Sequence, residues 1–149
     1  MAAQRILFID DEIFHSKRYR ERLEEEGFEV LFVTKADVAL DTLRSKALEI
    51  DLVVLDFMMP TPPSVSSTLT SDGQATGRWF LIECRDCLRD HKIPLLILTN
   101  KTLPATLGLL HDGGVFETEL GFQVRHKGDT SAVDLVEIVR SIIERLSAI

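Results

Sequence analysis

Short runs of apolar residues alternate along the chain with longer segments of helical periodicity. The apolar runs predict five β-strands, at residues 5–9, 28–33, 50–56, 93–99 and, more weakly, 122–126. Apolar residues spaced three and four apart predict five helices, at residues 13–27, 34–46, 77–90, 102–111 and 130–149. Strands that alternate with helices pair in parallel through right-handed crossovers. The pattern therefore predicts a doubly wound α/β fold, a five-stranded parallel sheet with helices on both faces.

Local signals refine this pattern at several element ends. Gly27 suits a left-handed cap after the first helix, and Thr34 with Asp37 resembles a capping box at the start of the second. The runs 50–56 and 93–99 are apolar throughout their interiors, which is typical of strands covered on both faces. The last helix is predicted to bury one stripe, formed by Leu135, Ile138, Val139, Ile142 and Leu146.

Composition indicates one compact domain spanning residues 1–149. The chain is 45% hydrophobic and 28% charged, and its net charge is -7. An acidic chain is poorly suited to phosphate backbones or anionic lipid, which argues against nucleic acid and membrane partners. No apolar stretch approaches the roughly 20 residues that span a bilayer, and the N-terminus lacks the pattern of a secretory signal. We therefore expect a cytoplasmic protein.

The two cysteines, Cys84 and Cys87, have C-x-x-C spacing but lie within a predicted amphipathic helix. A redox pair usually opens a helix just after a strand, where the helix dipole lowers the thiol pKa. A zinc site would also need a second pair of ligands. We favour buried small side chains over redox or metal chemistry.

Charged and polar residues follow four of the five predicted strands. Asp10 and Asp11 follow the first strand, Asp56 ends the third, Thr99 ends the fourth and Lys127 follows the fifth. In open parallel sheets, ligands bind outside the carboxyl ends of the strands, at the switch in strand order. We expect all five residues to converge on one edge of the sheet.

Converging acids need a compensating charge. Two carboxylates about 4 Å apart repel by roughly 4 kcal/mol at an effective dielectric constant of 20. A divalent cation relieves this repulsion, and Mg²⁺ prefers one or two carboxylates together with phosphate oxygens. A nearby lysine and threonine supply a cation and a hydroxyl donor, so the set suits phosphoryl transfer to a carboxylate. Taken one by one, these residues have ordinary explanations as helix caps, strand ends or surface side chains.

Four motifs together resemble the receiver domain of two-component response regulators. They are FIDDE at 8–12, DLVVLDFMMP at 51–60, LLILTN at 95–100 and HKG at 126–128, in family order and within the matching strand and helix pattern. The resemblance covers essentially the whole chain. It implies the flavodoxin-like receiver fold.

The resemblance also implies a Mg²⁺ site and a phosphoacceptor. Asp11 and Asp56 would bind Mg²⁺ directly, Asp10 through water, and the backbone carbonyl of Met58 would complete the site. Asp56 would accept a phosphoryl group from a histidine kinase or a histidine phosphotransfer protein. Such a domain is not an enzyme beyond its own phosphorylation and dephosphorylation.

The resemblance further implies that the Thr99 hydroxyl and Lys127 contact the phosphoryl group. Phosphorylation would shift a two-state equilibrium felt at the last strand, the last helix and the helix before it. No output domain follows the last helix, so we expect signalling by contact with an unknown downstream protein or as a phosphorelay intermediate. A homodimer is left open.

The chain departs from the family pattern in several places. Residues 61–76, TPPSVSSTLTSDGQAT, form a Ser/Thr/Pro-rich insertion where the family has a short loop. Its composition offers almost nothing to bury, so we expect a mobile surface loop; a lid or docking element is the functional alternative. Asn100 replaces a small residue and Lys101 adds a second cation. Val124 stands where an aromatic residue is usual, and Gly128 where proline is.

Two alternative functions stay open. The first is a receiver-like interaction module that works without phosphorylation, an interpretation that the Asn100 and Val124 positions favour. The second is a small Mg²⁺-dependent phosphohydrolase, which shares the carboxylate and metal chemistry. A haloacid-dehalogenase-type enzyme would need a D-x-D pair after its first strand, and the DDE sequence at 10–12 does not supply that register.

Overall fold

The sheet has five parallel strands. The computed structural model describes residues 3–147. The strands are β1 (Arg5–Ile9), β2 (Glu29–Val33), β3 (Leu52–Leu55), β4 (Leu95–Thr99) and β5 (Gln123–His126). They lie in the order β2-β1-β3-β4-β5, and all four pairings are parallel. The predicted doubly wound parallel sheet is confirmed, with its switch in strand order at β1 and β3.

Among the described residues, six helices connect and flank the strands. They are α1 (Ile13–Glu25), α2 (Ala36–Lys46), α3 (Thr76–Asp90), α4 (Leu103–Asp112), α5 (Glu117–Leu120) and α6 (Ala132–Ser147). Single 3-10 turns lie at Ala47–Glu49, Ser67–Thr70 and Lys127–Asp129. The short α5 was not predicted from sequence, and residues 148 and 149 of the predicted last helix lie outside the described residues. Within residues 3–147, no helix is both long and apolar enough to cross a membrane.

Alternate strand residues divide the core into two layers. Leu7 and Ile9 of β1 pack into one buried cluster with side chains of α2 and α3. Ile6 and Phe8 pack into a second cluster with side chains of α1 and α6. Successive side chains of a strand point to opposite faces, and here both faces are covered by helices. This explains why β3 is apolar at every position and β4 at every position before Thr99.

Some local predictions hold and others fail. Gly27 has a φ of +96°, as predicted for a left-handed position after the first helix. The capping box at Thr34 is wrong, because α2 begins after Lys35 and no side chain caps it. The Asp37 carboxylate accepts a hydrogen bond from the adjacent Val38 N–H. Of the predicted α6 stripe, Leu135, Val139 and Ile142 are buried. Leu146 is 41% exposed because it lies at the end of the helix.

The cysteines are packing residues. Cys84 lies on the buried face of α3 and Cys87 is partly buried one turn later. Burial raises the pKa of both thiols above the ordinary value. A raised thiol pKa is the opposite of what a reactive cysteine needs, so this geometry favours the packing interpretation over redox chemistry.

Residues 61–76, called segment 61–76 below, are more tightly packed than expected. Thr70 and Ala75 are fully buried, and the hydroxyls of Thr61 and Thr70 share a hydrogen bond of 2.6 Å. The Thr76 hydroxyl donates to the carbonyl of Met59 at 2.5 Å. The expectation that this composition has almost nothing to bury is wrong for Thr70, Ala75 and Thr76, because hydroxyls that bond within the protein can be buried at little cost. Eight of the sixteen residues are exposed, and mobility of the segment stays a prediction. That segment 61–76 is an insertion stays a prediction.

The start of α3 is closely packed against the chain that follows Asp56. A Cβ atom added at Gly77 would lie 2.9 Å from the Phe57 Cα and 2.8 Å from its ring, whereas one at the exposed Gly108 of α4 meets nothing within 4 Å. We predict that Gly77→Ala lowers the free energy of unfolding by about 1–3 kcal/mol. The matched variant Gly108→Ala should raise it by about 0.5–1 kcal/mol. Urea denaturation measures both, and equal effects would contradict the packing described here.

Candidate functional site

The predicted residues lie at the carboxyl edge of the sheet. Asp10 and Asp11 follow β1, Asp56 follows β3, Thr99 is the last residue of β4 and Lys127 follows β5. The structure brings Asp10, Asp11, Asp56 and Lys127 into one cluster, which we call the acid pocket. Thr99 lies buried at the end of the strand between β3 and β5. The roles assigned to these residues from sequence stay predictions.

The three acids of the pocket are close together and largely buried. Asp10, Asp11 and Asp56 each offer a carboxylate oxygen within 4.8 Å of the other two. Asp10 is 1% exposed and Asp56 is 5% exposed, while Asp11 is more accessible. Within the described part of the chain, this is the one group of three acidic, histidine or cysteine side chains close enough to hold a metal ion together.

A buried lysine joins two of the acids. The Lys127 ammonium donates to Asp10 Oδ2 at 2.8 Å and to Asp56 Oδ2 at 3.4 Å. Burial lowers the pKa of Lys127, but the negative charges of Asp56 and Asp10 outweigh it, and the net pKa is raised. Lys127 is therefore a cation at neutral pH. It leaves two negative charges uncompensated when all three acids are ionised.

Burial and the excess negative charge together raise the pKa of two of the acids. Burial, together with repulsion from Asp10 and Asp11, raises the pKa of Asp56 to about 7, and Lys127 only partly opposes this. Burial, and then repulsion from Asp10 and Glu12, also raises the pKa of Asp11. Near neutral pH, Asp56 is therefore partly protonated. A divalent cation in the pocket would favour its ionised form.

Backbone amides orient two of the carboxylates. The Glu12 N–H donates to Asp10 Oδ1 at 2.9 Å, and the Met58 N–H donates to Asp56 Oδ1 at 3.4 Å. These bonds use one oxygen of each carboxylate, while Lys127 contacts the other. The acid pocket is therefore held by the loops after β1 and β3. Metal binding by the Met58 carbonyl stays a prediction.

Sequence reasoning missed Tyr19, whose hydroxyl contacts the backbone at Lys127 and Thr130. Tyr19 lies on α1 and is 1% exposed. Its hydroxyl donates to the Thr130 carbonyl at 2.7 Å and lies 3.2 Å from the Lys127 carbonyl. The partners are more than 100 residues apart in sequence, so no local pattern could have indicated the contact.

His126 links Lys127 to the loop after β4. The Gly128 N–H donates to His126 Nδ1 at 3.0 Å, which leaves the proton on Nε2 for the Asn100 carbonyl at 3.0 Å. Proline at position 128 would lack this donor. The bond gives a physical reason against proline at position 128, and a Cβ atom there would lie 2.9 Å from the His126 ring, which favours glycine.

Comparisons with known proteins agree on the fold. No family model and no curated protein matches the chain. Among solved structures, a response regulator receiver domain protein from Clostridium thermocellum is 24% identical with a TM-score of 0.68, covering 97% of this chain and 98% of its own. A response regulator receiver protein from Sinorhizobium medicae is 22% identical with a TM-score of 0.69, covering 95% of each chain.

A CheY-like receiver domain protein from Methanospirillum hungatei is 16% identical, with a TM-score of 0.68 and 98% of each chain covered. Many of the similar structures are response regulator receiver domains that match nearly the whole chain. The chain has the receiver fold, as its motifs predicted.

The raised pKa of Asp56 predicts a specific pH dependence of stability. Between about pH 4 and 7, folded Asp56 binds a proton that the unfolded chain releases, so this residue's contribution to stability falls as pH rises and is level above about 7. We predict that wild type loses stability relative to Asp56→Asn across this window, by up to about 1.4 kcal/mol per pH unit. Urea denaturation in EDTA measures the difference.

The exposed Asp41 of α2 provides the matched control. Asp41→Asn removes the same charge at the surface, so its difference from wild type should stay nearly constant with pH. A constant difference for Asp56→Asn as well would contradict the assigned pKa.

Proposed function

We propose that this chain is a Mg²⁺-dependent phosphoacceptor switch of a two-component or phosphorelay system. Asp56 would take a phosphoryl group from a histidine kinase or histidine phosphotransfer protein, and the chain would signal by protein contact. The observation that carries the proposal is the buried Lys127 ammonium, held between Asp10 and Asp56 in a pocket of three acids. The receiver fold supports it.

The acid pocket fits Mg²⁺ in its chemistry. Its direct ligands would be the carboxylates of Asp11 and Asp56 with the Met58 carbonyl, and Asp10 would act through water. All of these groups are hard oxygen donors. Two uncompensated negative charges beside one lysine match a divalent cation. When bound, the ion would neutralise phosphoryl oxygens as charge develops on them.

Asp56 would act as the nucleophile. Its carboxylate oxygen would bond to phosphorus as the bond from phosphorus to the donor's imidazole nitrogen breaks, with the electron pair staying on that nitrogen. The product is an acyl phosphate, and attack by water on phosphorus would return the carboxylate and inorganic phosphate. Only ionised Asp56 is nucleophilic. A metal ion that neutralises the pocket keeps Asp56 ionised and would therefore favour the reaction.

Two further side chains would contact the phosphoryl group. The Lys127 ammonium already donates a hydrogen bond to Asp56 Oδ2 and would donate to a phosphoryl oxygen instead after phosphorylation. The Thr99 hydroxyl accepts the Lys101 N–H at 3.2 Å, a contact that uses an oxygen lone pair and not the hydroxyl proton. Thr99 can therefore donate to an oxyanion from the end of β4.

Movement of Lys127 offers a route from the site to the surface. The Lys127 carbonyl lies beside the Tyr19 hydroxyl, and the neighbouring His126 bonds to the Asn100 carbonyl. A lysine that leaves Asp10 for a phosphoryl oxygen would therefore pull on both the α1 contact and the loop before α4. This would bias a two-state equilibrium at β5, α6 and α4.

A phosphorylation-independent interaction module is the second candidate. Lys127 already bonds to both Asp10 and Asp56, so the pocket has an internal partner without a phosphoryl group. The cytoplasmic location, the lack of nucleic acid or membrane partners and a homodimer stay predictions.

Intact mass after incubation with acetyl phosphate and Mg²⁺ tests the proposal. We predict one added phosphoryl group per chain, lost in EDTA and in Asp56→Asn, because the carboxylate is the acceptor and the metal neutralises the pocket. The surface variant Asp41→Asn should be labelled as wild type is.

Three outcomes would contradict the proposal. Label retained in Asp56→Asn would place the acceptor elsewhere. No label, with Mg²⁺ binding shown by a rise in Tm, would favour the interaction module. Continued release of phosphate beyond one equivalent, with a simple phosphate ester as substrate, would favour a phosphohydrolase.

A further inference from the structure

Lys101 joins three segments beside the acid pocket. It lies two residues after Thr99, and its ammonium donates to Gln74 Oε1 at 3.1 Å. The same nitrogen lies 3.9 Å from the Met58 sulfur. The Met58 N–H donates to Asp56 Oδ1. Met58 therefore links Lys101 to the proposed phosphoacceptor.

The end of segment 61–76 is fastened next to Asp56, which keeps Gln74 in place. The Thr76 hydroxyl donates to the Met59 carbonyl, and the Gly77 N–H donates to the Phe57 carbonyl at 2.8 Å. Gly73 has a φ of +88°, and a Cβ there would lie 3.0 Å from the Met59 carbonyl oxygen. Gln74 therefore stands between two points of close backbone contact with residues 57–59.

A second tie holds the other side of this segment and does not involve the acid pocket. Arg78 donates to the Ser71 hydroxyl at 3.3 Å and to the Leu109 carbonyl of α4 at 3.1 Å. Segment 61–76 is thus joined to α4 through Arg78 and to the loop before α4 through Lys101. Of the two residues that make these ties, Lys101 is the one that also lies beside Met58, at the edge of the acid pocket.

The partner of Lys101 is weak compared with the partner that phosphorylation would create. Gln74 offers a neutral amide oxygen, whereas an acyl phosphate replaces one negative charge on Asp56 with about two and adds acceptor oxygens. Charge-assisted hydrogen bonds are roughly twice as strong as neutral ones. The flexible four-carbon stem of lysine allows the ammonium to change partners.

We propose that Lys101 is a further phosphoryl-binding residue, which exchanges Gln74 for a phosphoryl oxygen when Asp56 is phosphorylated. The exchange releases Gln74 and loosens the end of segment 61–76, while Arg78 keeps its other side attached. Segment 61–76 therefore reports the state of Asp56 at the surface. This inference rests on the proposed function, since it needs a phosphoryl group at Asp56.

Hydrogen–deuterium exchange read by mass spectrometry tests the proposal, with beryllium fluoride and saturating Mg²⁺ as the phosphoryl mimic. The Gln74 and Ala75 amides donate to the Ser71 and Thr70 carbonyls, so their exchange rate reports whether this turn stays closed. In wild type we expect beryllium fluoride to raise their exchange several-fold over Mg²⁺ alone.

Two variants separate partner exchange from general loosening. Gln74→Glu gives Lys101 a charged partner, so exchange should stay low and the response to beryllium fluoride should shrink. Lys101→Met removes the tie, so exchange should be high in both conditions and should not respond. Lys46→Met, which removes an exposed lysine at the end of α2, should respond as wild type does.

The outcomes distinguish this inference from the proposed function. If beryllium fluoride raises Tm in wild type but not in Asp56→Asn, and the Gln74 and Ala75 amides do not respond, the exchange of partners is wrong while the phosphoacceptor stands. A wild-type response retained in Lys101→Met would also overturn it. If beryllium fluoride leaves Tm unchanged and acetyl phosphate leaves no label, the phosphoacceptor is wrong and this inference fails with it.

Discussion

The contact of the Lys127 ammonium with Asp10 and Asp56 is the interaction on which the rest of the site depends. These three groups are each less than a tenth exposed, and taking charges out of water costs several kcal/mol per ion unless they are paired. Lys127 contacts one oxygen each of Asp10 and Asp56 but cannot neutralise the pocket, because one ammonium faces three carboxylates. Burial of the carboxylate, together with repulsion from Asp10 and Asp11, raises the pKa of Asp56 to about 7. A pocket left short of positive charge favours the binding of a cation.

The strand order places these groups in one pocket. β1 and β3 are neighbours, so the residues after them, Asp10 and Asp56, lie side by side. Lys127 follows β5, which is separated from β3 by β4. A long, flexible side chain is therefore needed to reach the acids, and β4 ends between them in the small side chain of Thr99. The same topology puts the loop after β4, with Asn100 and Lys101, at the edge of the pocket.

Much of the fold and of the acid pocket could be predicted because the signals are local. Apolar runs mark the buried strands, and an acid directly after such a run must lie at the carboxyl edge of the sheet. The features that escaped prediction depend on contacts between distant residues. The Tyr19 hydroxyl finds its carbonyls more than 100 residues away, and Thr70 is buried because its hydroxyl bonds to Thr61. The partner of Lys101 is set by the path of segment 61–76, which its polar composition does not reveal.

Proton release on Mg²⁺ binding tests the charge imbalance of the acid pocket most directly. Isothermal titration calorimetry in two buffers of different ionisation enthalpy measures it at each pH. With an Asp56 pKa of about 7, we predict release of about one proton at pH 6 and close to none at pH 8, because the metal replaces the proton. In Asp56→Asn this pH-dependent release should disappear. Mg²⁺ binding without proton release across this range, or with the same release in Asp56→Asn, would contradict an Asp56 pKa of about 7 in the metal-free pocket.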